Sequence, residues 1–375
     1  MNIRILHDMP VSPSYTRRAS GQACAYPMTA EVDGGLILCA YRCGKTKHSY
    51  DGKLLVQISA DKAETWSDPL VVYDGTGLDP PQSLVSFQAL AASDGSLLAV
   101  FDTVIVTEPD SYLFSDQGRK QQRRSYKIHS YDGGQRWTDP ENLVHFNADQ
   151  HGIVGKSFVL PDGRIFINSG CRRPEGLHVI TGSFSSDNGR TISAPIDTVW
   201  DPTGKLLYDD PYYTVFPDGQ VVGLFWTHRR DTEETIAVRR CVSDDGGRVW
   251  TRPQPIGDLG QISVPLAVNE QTMVVASNFR QEPQGVRLWI SHDRGLSFDS
   301  QRPFQMWDAQ AKSLIAQPID PEPKAVQNQG VWDALATFTF GTPDLLDLGD
   351  GTIVLTYYAT IDAIIHIRAC RFKLI

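Results

Sequence analysis

His151, His178 and His228 carry imidazoles whose ordinary pKa of about 6.5 lets them give or take a proton at neutral pH. Carboxylates and guanidinium groups gather in the same polar stretches: Arg42 to Asp51, Arg172 to His178, Asp209-Asp210 with Tyr212, His228-Arg229-Arg230, and Asn278 with Arg280. Tyr26, Gln88, Asp102, Lys156, Thr342 and Asp344 extend the set. Such a mixture suits acid–base catalysis on a substrate that carries negative charge, with the arginines orienting the anion. Among the histidines His151 leads, because Asp149-Gln150-His151-Gly152 stands just ahead of an apolar strand. Cys39 and Cys43 with His48 nearby are read as core residues rather than metal ligands. The six cysteines are scattered and form no C-x-x-C pair, so they read as thiols packed in strands, and no metal or cofactor is expected.

The elements that must position these groups are set by a repeat. Ser243-Asp244-Asp245-Gly246-Gly247-Arg248-Val249-Trp250 has the pattern S-x-D-x-G-x-x followed by an aromatic or Ile, and four more copies start at Ser59, Ser130, Ser185 and Ser291. In each, the Asp can accept hydrogen bonds from turn N–H groups and the Gly supplies positive φ, except that Ala63 holds the Gly position in the first copy. An apolar strand precedes the boxes, as in Leu54 to Ile58 and Val238 to Val242, so each box joins the two outer strands of one sheet. A second phrase, apolar strand, D-G turn, apolar strand, recurs at Asp33-Gly34, Asp94-Gly95, Asp162-Gly163, Asp218-Gly219 and Asp350-Gly351, with Asn269-Glu270-Gln271 in the equivalent place. Copies spaced 48 to 71 residues apart predict an all-β, six-bladed propeller, a single domain over 1–375. The alternating N-terminal strand around Ile3 and Ile5 is expected to close the ring against the last blade. Residues opening each innermost strand, and the loops after the second strands, then converge on one mouth.

The boxes resemble the Asp-box of the sialidase superfamily, where they lie on the face away from the active site, and six is also the sialidase blade number. That family holds a sugar carboxylate with three arginines and uses a Tyr nucleophile paired with a Glu, and an Asp as acid/base. By this resemblance Asp51, following Ala40-Tyr41-Arg42 and eight residues before the first box, takes the acid/base role. Asp210, nine residues before Gly219, takes the place of the activating Glu, and Arg229 or Arg230 and Arg280 take the second and third arginines. Two positions depart: Cys24-Ala25-Tyr26-Pro27 puts Ala25 at the first arginine, and Phe340-Gly341-Thr342-Pro343 puts Thr342 at the nucleophile. A retaining sialidase mechanism is therefore not expected. The resemblance instead implies a carbohydrate-active enzyme, an exo-glycosidase on a terminal acidic or deoxy sugar. Asp51, Asp210 and His151 form its acid–base set; Arg42, Arg172, His228, Arg229, Arg230, Arg280, Tyr26, Tyr212 and Trp332 bind substrate. A propeller that binds glycan or protein without catalysis and a His-dependent polysaccharide lyase are the alternatives.

The net charge of −9 argues against nucleic acid, and no stretch nears the roughly 18 apolar residues of a membrane-spanning helix. The N-terminus lacks the apolar core of a signal peptide, so a cytoplasmic location is the expectation. Residues 299 to 330, rich in Pro and Gln between Trp307 and Trp332, read as a lid or surface crossover, and Gln121 to Arg124 as a solvated hairpin tip.

Overall fold

The computed structural model describes residues 3–11, 22–32, 34–107, 113, 121–143, 151–173, 176–280, 284–298, 303–309, 338–361 and 364–375. Six antiparallel sheets follow one another along the chain as propeller blades. Blade 1 comprises Ala23–Val32, Leu36–Gly44, Lys53–Ser59 and Leu70–Tyr73; blade 2 comprises Gln82–Ala91, Leu97–Ile105, Arg123–Ser130 and Glu141–Asn142. In blade 3 the innermost strand is broken into His151–Ile153 and Phe158–Val159, both paired to Ile165–Arg172, followed by His178–Ser185 and Ile196–Trp200. Blade 4 runs Leu206–Val215, Val221–Arg229, Thr235–Ser243 and Gln254–Gly257, and blade 5 runs Ser263–Ala267, Met273–Phe279, Gly285–Ser291 and Phe304–Asp308. Blade 6 takes Phe340–Asp347, Thr352–Ile361 and Ile364–Leu374 from the end of the chain and its outer strand, Ile3–Pro10, from the beginning. Pairing from Ile3 with Leu374 to Pro10 with Arg368, and an ion pair of Arg368 with Asp8 at 2.9 Å, close the ring as the sequence predicts.

Because each blade packs a neighbour on both faces, the second strands are buried and mostly apolar. All nine residues of Leu97–Ile105 are buried. Met28, Val56, Leu84 and Phe101 interlock blades 1 and 2, and Val274, Leu288, Leu355 and Phe372 do the same for blades 5 and 6. Burying each such side chain contributes about 1.5–3 kcal/mol.

The five boxes adopt one geometry. In the fourth, Ser243 Oγ donates to Asp245 at 2.8 Å and accepts from Gly247 N–H at 2.8 Å, while Asp245 accepts from Val249 N–H at 2.9 Å. The serine therefore carries as much of the turn as the aspartate, a role the sequence reading gave to Asp alone. In the first box Ala63 takes the left-handed conformation, φ 64°, that glycine takes in the other copies. Removing the carboxylate orphans several turn N–H groups, so Asp245→Ala is expected to cost about 1–3 kcal/mol, read as a lowered thermal midpoint. An unchanged midpoint would show that the boxes do not fasten the blades.

The equivalent inner turn of blade 5 keeps its shape because Asn269 Oδ1 accepts from the N–H groups of Gln271 and Thr272 as an Asp would. Trp307 corrects the lid reading at its first margin: it is buried in the outer strand of blade 5, 5.8 Å from the Tyr357 ring, between blades 5 and 6. Trp332 and the rest of that segment from 310 onward lie outside the described residues. No helix among the described residues is long and apolar enough to cross a membrane.

Candidate functional site

A cavity of about 210 Å³ sits on the propeller axis, and every blade contributes to its wall. Tyr26, Met28 and His48 come from blade 1, Val85, Phe87 and Arg123 from blade 2, and Ile153 to Gly155 from blade 3. Asp209, Asp210, Tyr212 and Trp226 come from blade 4, Gln261, Asn278 and Arg280 from blade 5, and Phe338, Thr342 and Tyr358 from blade 6.

Three of these side chains enter by one backbone device. Tyr26, Asp210 and Thr342 have φ of 62°, 41° and 45°, the left-handed region that costs a residue with a Cβ about 1–2 kcal/mol. Each stands at a register shift of its innermost strand, between Ala25 and Met28, Asp209 and Tyr212, and Gly341 and Asp344. Each is followed by proline: Pro27, Pro211 and Pro343. Bulges re-aim side chains, and strained positions of this kind cluster at functional sites. In blade 3 Gly155, φ 59°, lies so close to Asp210 that a Cβ there would come within 1.9 Å of Pro211 O.

Asp210 is the group most altered by this setting. Burial, then the adjacent Asp209 carboxylate, push its pKa up to about 7, against a hydrogen bond from Gly155 N–H. It therefore keeps its proton close to neutrality. Near it the Tyr26 hydroxyl is hydrogen-bonded to His48 Nε2. Burial holds Tyr26 well above the ordinary phenol range, and burial with Lys47 and Arg42 holds His48 well below the ordinary imidazole range. The contact thus joins a neutral phenol to a neutral imidazole. Arg280 lies 3.8 Å over the Phe338 ring and 4.3 Å over Phe340, donates to Gln261 Oε1 at 3.3 Å and is hydrogen-bonded to Tyr358. The aromatic rings stack against a cation that faces the cavity.

Of the residues that the sequence points to, Tyr26, Asp209, Asp210, Tyr212, Asn278, Arg280 and Thr342 meet in this cavity. The others stand elsewhere. Arg42 is buried, and its guanidinium donates to the carbonyls of Leu84, Thr46, Lys47 and Ser49, which shapes the loop that holds His48. Asp51 accepts from Lys45 N–H at 3.1 Å and Ser49 Oγ at 2.5 Å, capping its own loop instead of lining the cavity. His228 is fully buried beside Asp209, Nε2 to Oδ2 3.2 Å, with His178 Nε2 4.0 Å from the other carboxylate oxygen. Arg172, Arg229 and Arg230 are exposed at strand ends, Arg229 paired to Glu234 at 3.0 Å. The His151 backbone opens the first half of the broken strand, facing Cys171.

The reading of the sequence missed Trp226, Phe338 and Tyr358, and it gave His48, within its mouth stretch, no role in the site. Arg123 is a correction: it opens the third strand of blade 2, pairs with Val104 and lines the cavity, where a solvated tip was expected. Among the described residues no group of three or more His, Cys, Asp or Glu is placed to hold a metal ion.

Comparison with known proteins follows the fold. The model of a BNR repeat-like domain matches residues 34–355. No curated protein matches the sequence. A crystal structure of a protein of unknown function from Dyadobacter fermentans superposes with a TM-score of 0.76 at 17% identity, covering 100% of this chain and 99% of that one. A Hadza microbial sialidase gives 0.69 at 13%, covering 94% of this chain and 66% of its own. The intramolecular trans-sialidase from Ruminococcus gnavus, solved with oseltamivir carboxylate, gives 0.65 at 12%, with 94% of each chain covered. At these identities the likeness is one of fold.

Proposed function

Because the chain belongs to the BNR repeat-like domain family and has a sialidase-like propeller fold, we propose that it cleaves a terminal acidic or deoxy sugar from a glycan by acid–base catalysis. The observation that carries this reading is Asp210, protonated to about pH 7, in one cavity with the Tyr26–His48 pair. Asp210 gives its proton to the departing glycosidic oxygen. His48, through the Tyr26 hydroxyl, takes the proton of the attacking water. Arg280 and Arg123 supply positive charge for a sugar carboxylate, and Phe87, Trp226 and Met28 supply apolar surface for a ring face or a deoxy carbon. A cavity of about 210 Å³ is smaller than the roughly 300–1,000 Å³ of pockets for larger ligands, which favours one sugar residue at a chain end.

The Tyr26–His48 pair also favours a second reading, elimination from a uronic acid. There His48 removes the proton beside the carboxylate held by Arg280, and a protonated group assists the leaving oxygen.

A panel of oligosaccharides ending in acidic or deoxy sugars, incubated with the protein and read by mass spectrometry, separates these cases. Hydrolysis releases the terminal sugar with the mass of one water added; elimination leaves an unsaturated product with none. Binding without any product would replace both readings with a glycan-binding propeller. A standard aryl sialoside is expected to be turned over poorly, since Thr342 and Ala25 stand where the resemblance requires Tyr and Arg. Robust release of the aryl group would mean that Tyr26 or another phenol acts as nucleophile.

A further inference from the structure

We propose that Cys24 and Cys43 form a built-in oxidation site, a dithiol that converts to a disulfide and fastens the two strands flanking the Tyr26–His48 contact. The two residues face each other across the first and second strands of blade 1, and Cys24 Sγ donates to Cys43 Sγ at 3.4 Å. Facing residues of antiparallel strands have Cα atoms about 4.5–5.5 Å apart, inside the roughly 4.4–6.8 Å that a disulfide spans. Side-chain rotation alone therefore brings the sulfurs to bonding distance. Cys39, next in proximity, faces Thr29 instead, while Cys171, Cys241 and Cys370 belong to blades 3, 4 and 6.

Both sulfurs are buried, and Cys43 is the one in contact with an exposed side chain. It is 4% exposed against 2% for Cys24, and its Sγ lies 3.6 Å from Oε1 of Gln22, an exposed residue. The hydrogen bond to Cys24, together with burial, holds the Cys43 thiol above its ordinary range, so little thiolate is present and oxidation by a hydroperoxide is slow, calling for excess peroxide and long exposure. The Cys43 thiolate attacks the peroxide O–O bond, giving a sulfenic acid, while the leaving oxygen takes up the thiol's proton as an alcohol or water. Cys24 sulfur then attacks the sulfenic sulfur, a second water leaves, and the S–S bond forms. Two thiols are oxidised by two electrons and one peroxide is reduced.

The site bears on the cavity through two short paths. Cys24 precedes Tyr26 by two residues in the same bulged strand. Cys43 follows Arg42, whose guanidinium holds the carbonyls of Thr46, Lys47 and Ser49 around His48. A cross-link fixes both ends of the Tyr26–His48 contact, and it closes a loop with a sequence separation of 19.

The folded chain treated with hydrogen peroxide, then digested and mapped without reductant, tests this without any substrate, so its outcome is independent of the glycan reading. The expected map contains one disulfide, Cys24–Cys43, with the other four cysteines still thiols, and a thermal midpoint several degrees above that of the reduced chain. Cys24→Ser and Cys43→Ser each lose both the cross-link and the rise. Intact thiols at both positions in the peroxide-treated folded chain, a disulfide that engages Cys39, or a cross-link with no change in midpoint would each overturn the proposal; the unsubstituted chain alone decides it if a variant fails to fold.

Discussion

Asp210→Asn is expected to lose about 10²–10⁴-fold of whatever native activity is measured, with the fold retained. The amide is nearly isosteric but cannot deliver a proton, and Gly155 N–H keeps an oxygen acceptor. The unsubstituted protein should work best below about pH 7 and fall off as Asp210 ionises above it. The variant's residual rate should lack that alkaline fall. Stability moves in the same sense. The folded-state pKa of Asp210 is raised, so its contribution to stability is fully present below the ordinary carboxyl pKa and is lost as pH rises through about 7. Asp210→Asn removes that loss, and its thermal midpoint relative to the parent should climb between about pH 4 and pH 7 and level off above. Full activity in the variant, or a midpoint difference flat with pH, would remove Asp210 from the role given to it.

Asp344→Asn should bring the largest loss of stability of any single substitution considered, about 3–5 kcal/mol. Asp344 is fully buried in blade 6, where it accepts from Thr29 N–H and Oγ1 of blade 1 at 2.6 and 2.7 Å and from Lys156 Nζ of blade 3 at 2.7 and 2.8 Å. Three blades meet at one carboxylate. Neutralising it leaves the largely buried Lys156 ammonium, 18% exposed, with only the Thr29 carbonyl as partner, which costs more than the pair itself contributes. The double substitution Lys156→Met with Asp344→Leu should accordingly melt higher than Asp344→Asn alone. Equal damage in both would mean that packing, not the uncompensated charge, is what the site supplies.

The repeats were legible because their causes are local. A box needs Ser, Asp and a residue tolerant of positive φ at fixed spacing, and an inner turn needs Asp or Asn before its tight reversal, so five boxes and six turns could be read without knowing any long-range contact. The closing strand was legible for the same reason, since a ring leaves only one place for an alternating segment ahead of blade 1. In the cavity, Tyr26, Asp210 and Arg280 were legible from their places at the openings and ends of inner strands. Arg42 and Asp51 show where such reading stops. Both belong to a mouth segment, but most of the partners that turn them inward are backbone carbonyls and N–H groups, which leave no trace in residue type. Arg123 was obscured in the opposite way, because a charged pair before a strand reads as solvated until the neighbouring blade folds over it.

The proline-backed bulges at Tyr26, Asp210 and Thr342 make the ring a set of interchangeable sockets. Each presents one side chain to the same small volume from a different bearing, and the strain is carried by main chain that the side chain does not define. Chemistry can then migrate around the axis by substitution alone: a phenol lost at one socket can be regained at another with the scaffold unmoved. In an evolutionary line built this way, the residue doing a given job need not keep its blade, and aligning relatives position by position would report a vanished active site where there has been a rotation.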